Sequence, residues 1–211
     1  MAAEVLTYTS LLTDIQVYTD RDDAPFTTQI PRFVMLAENR IAKEVKQLGF
    51  KRFVTDNMQV GVGVIAKPAR WRETVSFNIG TGATYNARTP LYERTYEWCR
   101  AYCPDPTVTS QPRYYGDYDF THFIIAGTPN YAYPFELVYY ERPEPLSISH
   151  QTSWTTENAP ELLLFACLLE ASPFLKSDER TQMWQAMYDR AAQNVTHEDN
   201  QRVTDRSSGV K

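Results

Sequence analysis

Apolar residues recur along this chain in two rhythms, and the change from one to the other divides it. From about Ser10 to Thr19, Leu11, Leu12, Ile15 and Tyr18 fall on one side of a helix, which Asp20 to Pro25 ends. From about Thr28 to Leu48, Ile30, Val34, Ala37, Ile41, Val45 and Leu48 are spaced by three or four residues, with Pro31 in the first turn. Glu38, Arg40, Lys43, Glu44 and Lys46 form the polar face, and Gly49 stands where a left-handed residue would close the helix. This predicts an amphipathic helix turned toward a core.

After Phe50 the period shortens to two. Val60, Val62 and Val64 alternate with Gly61, Gly63 and Ile65, and Val75, Phe77 and Ile79 alternate with Ser76 and Asn78, so strands are expected up to about Ile79. A short helix over about Leu91 to Tyr102 follows Pro90 and stops at Cys103-Pro104-Asp105-Pro106, where the paired prolines forbid continuation. Tyr114-Tyr115, His122 to Ala126 and Phe135 to Glu141 then read as strands separated by turn residues, most economically an antiparallel meander.

Helical spacing returns near Asn158, a predicted cap, with Pro160 in the first turn and a nearly all-apolar run to Ala171 before Ser172-Pro173. A helix apolar on every side is buried on several sides. The last helix opens at Ser177, sets Asp178 and Glu179 against the positive end of its dipole, and carries Trp184, Met187, Tyr188, Ala191 and Val195 as a stripe. The stripe vanishes after Thr196, so His197 to Lys211 are expected to be mobile unless a partner holds them. The fold class expected is α+β: a helical bundle from the N- and C-terminal helices with an inserted antiparallel β-rich part. The divisions are 1–49, 50–150, 151–196 and a flexible tail over 197–211, a possible docking arm. No internal repeat is visible.

Composition sharpens this picture. A chain of 211 residues with 43% hydrophobic content can close one sizeable core, alone or with a smaller satellite of strands. Fourteen tyrosines supply rings that bury area while keeping a polar tip, which suits interfaces as well as cores. Thirteen prolines against eight glycines favour stiff connections. A net charge of -5 provides no basic field to gather phosphates, so nucleic acid is expected to pass without sticking. The start, MAAEVLTYTS, has no basic or apolar leader region, and no window approaches a membrane span, so the protein is expected to stay in the cytoplasm that makes it.

Candidate chemistry is sparse. Cys99, Cys103 and Cys167 are odd in number and form no C-x-x-C element. Cys99 and Cys103 would share a helix face, but no two further ligands lie nearby in sequence, so no metal site is expected. Asn194-Val195-Thr196 matches a glycosylation acceptor only by chance if the protein is not exported. His122, His150 and His197 are scattered and belong to no nucleophile or zinc motif, and His122 reads as a structural histidine in an apolar strand. Gly61-Val62-Gly63 lacks the third glycine and following helix of a phosphate cradle. Asp117 and Asp119, two apart, have the spacing of paired carboxylates on a strand face, a common arrangement without catalysis. No catalytic residue and no cofactor are expected. The aromatic run Tyr114 to Phe120 would also suit stacking on sugar rings, so a carbohydrate-binding module is the alternative reading.

Several stretches together resemble one family. They include Ala37-Glu38-Asn39-Arg40-Ile41, Ala66-Lys67-Pro68-Ala69-Arg70-Trp71-Arg72, and Arg94-Thr95-Tyr96-Glu97-Trp98-Cys99-Arg100-Ala101-Tyr102. They continue through Gln111-Pro112-Arg113-Tyr114-Tyr115, Gly127-Thr128-Pro129, Tyr133-Pro134-Phe135-Glu136-Leu137 and Tyr139-Tyr140-Glu141-Arg142-Pro143. The closing pattern runs from Thr152-Ser153-Trp154-Thr155 through Ala159-Pro160-Glu161-Leu162-Leu163-Leu164 to Leu169-Glu170-Ala171-Ser172-Pro173-Phe174-Leu175. In this order they resemble the head-to-tail adaptor, or connector, proteins of tailed bacteriophages, especially the podovirus type, over about residues 30 to 192.

The resemblance implies a structural virion protein, assembled in the host cytoplasm and placed in the neck between head and tail. Its implied partners are the portal protein, a tail or nozzle protein and copies of itself in a ring of twelve. Genomic DNA would pass through the channel without specific binding, and no membrane is involved. By likeness to tails in similar adaptors, portal-docking candidates are Gln201, Arg202, Val203, Val210 and Lys211. Tyr114, Tyr115, Tyr118 and Tyr131 are candidates for contacts with neighbouring subunits or the tail.

Overall fold

The computed structural model describes residues 5–45, 48–82, 84–175 and 178–208. Three helices come first: α1 (Tyr8–Thr19), α2 (Ala24–Thr27) and α3 (Ile30–Glu44). Strands β1 (Lys51–Asn57), β2 (Val64–Ala66), β3 (Trp71–Thr81), β4 (Ala87–Pro90) and β5 (Tyr92–Glu93) lead to helix α4 (Tyr96–Tyr102). Then come β6 (Thr109–Ser110), β7 (Tyr114–Asp117), β8 (His122–Ala126), β9 (Thr128–Pro129) and β10 (Pro134–Glu141). Helices α5 (Trp154–Asn158), α6 (Pro160–Leu175) and α7 (Asp178–Ser208) close the chain. The fold is therefore mixed α+β with antiparallel sheets. Two compact units result, Met1–Gly49 with Pro143–Lys211, and Phe50–Arg142.

In the helical unit, α6 buries Leu162, Leu163, Ala166, Cys167, Leu168, Leu169 and Ala171, and touches α1, α3, α5 and α7. From α3 it receives the expected stripe of Ile30, Val34, Ala37 and Ile41, all buried. From α7 the unit receives Trp184, Tyr188 and Ala191, while Met187, expected on the same stripe, is exposed. Arg40 joins α3 to α6 through Glu170 at 2.6 Å, and its guanidinium lies 5.9 Å over the Tyr188 ring, whose hydroxyl donates to Glu44. A partly exposed pair of this kind contributes about 1 kcal/mol or less, whereas each buried large apolar side chain contributes about 1.5–3 kcal/mol. Apolar packing thus holds these helices together, and the ion pair fixes their register. A second aromatic knot joins Phe26, Phe33 and Phe174 at 5.8–5.9 Å. Arg21 covers it, held by Asp23 at 2.7 and 2.9 Å.

Several boundaries differ from expectation, each for a local reason. Gly49 does not take a left-handed conformation; it leaves room for Trp154, whose indole atoms would lie 2.4 Å from an added Cβ. Asn158 ends α5, with its side chain donating to Trp154 O at 3.0 Å, and so does not cap α6. Pro173 lies inside α6, because in the last turn its missing N–H forgoes one bond, and the helix runs on to Leu175. The predicted cap Ser177 lies outside the described residues. Residues 143–150, grouped with the β-rich part from sequence, belong to the helical unit, where Leu146 is buried and donates its N–H to Glu38 at 3.1 Å. The backbone of α7 is helical to Ser208, beyond Thr196, where the apolar stripe ends. Its last turns are polar, and side-chain bonds run along them from Thr196 Oγ1 to Ala192 O at 2.8 Å and between Gln201 and His197 at 3.0 Å.

The second unit is a two-layer sandwich. One sheet has the order β1-β10-β3-β4 and the other β2-β8-β7-β5. Their inner faces share Phe77, Ile79, Phe135, Leu137 and Tyr139 from the first sheet and Tyr115, Phe123 and Ile125 from the second. The expected meander does not form: β7 and β8 make a hairpin, but β10 crosses to the other sheet and pairs with both β1 and β3. Short parallel pairs, β5 with β7 and β6 with β9, complete the unit. The predicted strand through Gly61 and Gly63 starts only at Val64, because Gly61 takes φ +76 in a turn and donates to Pro129 O at 2.8 Å.

Glu38 gives the helical unit a pH dependence. Burial pushes its carboxyl up to about 7, and the Leu146 N–H opposes this only in part. A carboxyl raised in the folded state favours the proton, so its stabilising contribution is complete below about 4.5 and is lost as pH rises through about 7. Glu38→Gln keeps an acceptor for Leu146 and removes the charge. Thermal unfolding across this window should show the variant gaining on the parent as pH rises, by about 2–4 °C at pH 8 if the burial is worth roughly 1 kcal/mol. Equal slopes for the two proteins would refute this assignment.

Candidate interaction surface

The most distinctive surface of the sandwich unit is built by α4 lying on the outer face of the second sheet. Thr95 caps α4, its side chain accepting from the Trp98 N–H at 3.3 Å. Cys99 is the inward residue, packed with Ile124, Ala126 and Tyr114. Burial raises its thiol, while Arg94 pulls the other way. Gly116 makes this close approach possible: an added Cβ would lie 2.4 Å from Arg94 O and 3.4 Å from Cys99 Sγ.

With Cys99 turned inward, the other side chains of α4 project outward. Trp98 and Tyr102, one turn apart, stack at 5.1 Å with 11° between planes, and Tyr114 meets them edge-on at 4.5 and 5.1 Å. Tyr92 extends the group from Tyr114 at 6.4 Å, and Tyr96 contacts Tyr118 at 5.8 Å. Two guanidiniums lie over these rings: Arg94 at 5.6 Å from both Trp98 and Tyr114, and Arg100 at 5.3 Å from Tyr96 and 5.7 Å from Tyr118. Arg100 also donates to the Tyr96 hydroxyl at 3.1 Å. Tyr92, Tyr96, Trp98, Tyr102 and Tyr118 are all exposed. Aromatic rings interleaved with Arg are the residue types that dominate protein–protein contacts.

Of the four tyrosines singled out from sequence, Tyr114 and Tyr118 belong to this surface. Tyr131 is exposed in a separate group with Tyr85 and Tyr133, at 5.6 and 6.3 Å. Tyr115 is not a surface residue. It alternates inward from Tyr114, packs on Phe77 and Phe123 at 5.2 and 5.6 Å, and its hydroxyl is pushed up to about 12, first by burial and then by Glu93. Gln201 lies exposed on α7; Arg202 and Val203 lie on its helical backbone, and Val210 and Lys211 fall outside the described residues. Sequence reasoning did not single out Tyr92, Arg94, Tyr96, Trp98, Arg100 and Tyr102 as contact residues. The four-residue spacings Tyr96 to Arg100 and Trp98 to Tyr102 on a short helix were the available signal.

The paired carboxylates have structural partners. Lys67, almost fully buried, bonds Asp117 at 2.7 Å and the Asp119 carbonyl at 2.9 Å, with its ammonium 4.2 Å from the Trp71 ring and 5.0 Å from Phe123. Asp119 accepts from the Thr121 N–H at 2.6 Å and from His122 at 3.0 Å, and these bonds, the Thr121 N–H first, hold its carboxyl down to about 2. They pin the β7–β8 hairpin instead of facing a cleft. Among the described residues no cluster of His, Cys, Asp or Glu has the makings of a metal site, and no helix is long and apolar enough to cross a membrane.

The sandwich unit thus presents an exposed aromatic and guanidinium surface of the composition found at protein–protein contacts. The chain belongs to the SU10 adaptor protein family, whose model matches residues 6–210. It is thus a phage adaptor, a structural component of the virion that associates with other virion proteins. No curated protein matches the chain.

The seating of α4 can be tested directly. Gly116→Ala should cost about 1–3 kcal/mol in chemical denaturation, because the methyl must displace the backbone at Arg94. An unchanged midpoint would show that α4 is not held in this close contact.

Proposed function

We propose that the protein is a head-to-tail adaptor, twelve copies of which form a ring beneath the portal that extends the DNA channel and presents the attachment platform for the tail or nozzle. The observation that carries this reading is the exposed surface around Trp98, Tyr102, Arg94 and Arg100, in a chain of an adaptor family. In a closed ring one face of each subunit meets a different face of its neighbour, and such a surface supplies one of the two faces. The helices of both chain ends act as one bundle that forms the body of the ring. The net charge of -5 suits a channel through which DNA moves without being held. The polar end of α7, with Gln201, Arg202 and Val203, followed by Val210 and Lys211, is the arm that docks on the portal.

The carbohydrate-binding alternative is less well supported by the ring geometry. Sugar stacking needs free ring faces, but in the run Tyr114 to Phe120 the Tyr114 ring lies against Trp98 and Tyr102, Tyr115 is buried and Tyr118 lies against Tyr96, which leaves Phe120 as its bare ring.

Mixing the purified protein with portal rings and imaging the product by cryo-electron microscopy tests the whole reading, and glycan binding in the absence of a portal ring would favour the alternative. Deleting residues 197–211 should weaken portal binding in a pull-down; unchanged binding removes the arm from the account. The pair Trp98→Ala and Arg100→Ala should leave the fold intact and weaken assembly about tenfold or more, as loss of central contact residues does.

A further inference from the structure

The tip of the β7–β8 hairpin carries Phe120, whose side chain is 90% exposed. A slack loop could fold such a ring back onto the protein, but this tip is tied down around it. The Asp119 carboxylate accepts from the Thr121 N–H at 2.6 Å, from the Thr121 hydroxyl at 2.9 Å and from His122 at 3.0 Å. Lys67 holds both carbonyls beside the ring, donating its ammonium to Asp119 O at 2.9 Å and its N–H to Thr121 O at 2.7 Å. Phe120 thus stands between two fixed residues, and a contact made through it costs little further ordering.

A slot of about 320 Å³ lies on the side of the sandwich where the edge strands β1 and β2 stand. Its floor is core, since Met58, Phe135 and Leu137 are all buried, and the half-buried Val54 and Ile65 line it as well. An apolar cavity of roughly 150 Å³ already holds a benzene ring, so a phenyl group fits here.

Tip and slot belong to different faces of the unit. Tyr118, next but one to Phe120, touches Tyr96 and Arg100, so the tip borders the α4 surface on the outer face of the second sheet. The slot opens between the sheets. A knob on one face and a hole on another are what a heterologous contact requires. The carboxylates that such a contact would bring near each other already have partners within their own copy, Asp119 as above and Asp56 with the Asn57 N–H at 2.8 Å. Both side chains are exposed, where repulsion between like charges is weak.

We propose that Phe120 of each copy inserts into the slot between β1 and β2 of the next copy, so that this slot is the second face of the ring contact whose first face is the α4 surface. The inference rests on the adaptor reading, which supplies the ring. It adds the residue that anchors one subunit in the other.

The test uses the full-length protein on portal rings. Phe120→Ala removes a side chain that has almost no contacts of its own, and it should raise the concentration needed for half-maximal assembly about tenfold or more. Phe120→Leu keeps an apolar knob and should recover most of that loss. Position is tested by mixing Phe120→Cys with Gln59→Cys under mild oxidation, each variant also carrying Cys103→Ser to remove the partly exposed thiol. Gln59 is exposed on the rim of the slot, so the mixture should give a disulfide-linked pair on the portal that neither variant gives alone. A parent that forms no ring would sink the adaptor reading and this inference with it. A parent ring with unchanged assembly of Phe120→Ala, with no linked pair in the mixture, or with linked pairs from Phe120→Cys alone would overturn this inference and leave the adaptor reading standing.

Discussion

The helical unit depends on one constraint: α6 is apolar on every side and must be surrounded. Its leucines cannot be covered by a single neighbour, so α1, α3, α5 and α7 close around it, drawn from both ends of the chain. The long excursion between α3 and α5 has to leave from and return to the same unit, and the sandwich occupies that excursion. Trp154 seated against Gly49 marks one side of this junction, since Gly49 is the last residue of the helical unit before the chain departs.

The sandwich solves a related problem with strands. Placing β10 between β1 and β3 gives its backbone partners on both sides and turns Phe135, Leu137 and Tyr139 into the common core. The second sheet is covered by α4 on its outer face, where Cys99 is the residue of α4 that is buried. Because α4 is short and anchored by a small residue, its large side chains are left to the outside. This converts a structural element into a surface suited to a partner, and it does so without a cleft or a convergent set of titrating groups. The acids and the histidine of the hairpin tip are engaged with Lys67, Thr121 and one another, which accounts for residues that would otherwise invite a catalytic reading.

Much was legible in the sequence because periodicity reports burial directly. The spacing of Ile30, Val34, Ala37 and Ile41, the all-apolar run of α6 and the pair Trp184 and Tyr188 each foretold an inward face, and each is buried. The alternation of Phe77 and Ile79 did the same for β3. The likeness to phage adaptors was also legible, since it rested on ordered local segments, and the family assignment agrees with it. The interaction surface was only half visible: Tyr114 and Tyr118 were singled out, but Tyr115 was read with them even though strand alternation sends it inward.

Sequence by itself determined the main helices and several of the strands, the apolar faces they must hide and the family to which they belong, because these follow from local spacing and residue type. Tertiary structure alone decided that β10 crosses to the other sheet, that Gly49 and Gly116 serve close packing instead of chain reversal, and that Trp98, Tyr102 and the two arginines converge. Those outcomes depend on which distant segment occupies the neighbouring space, and no periodicity within a segment encodes the shape of what packs against it.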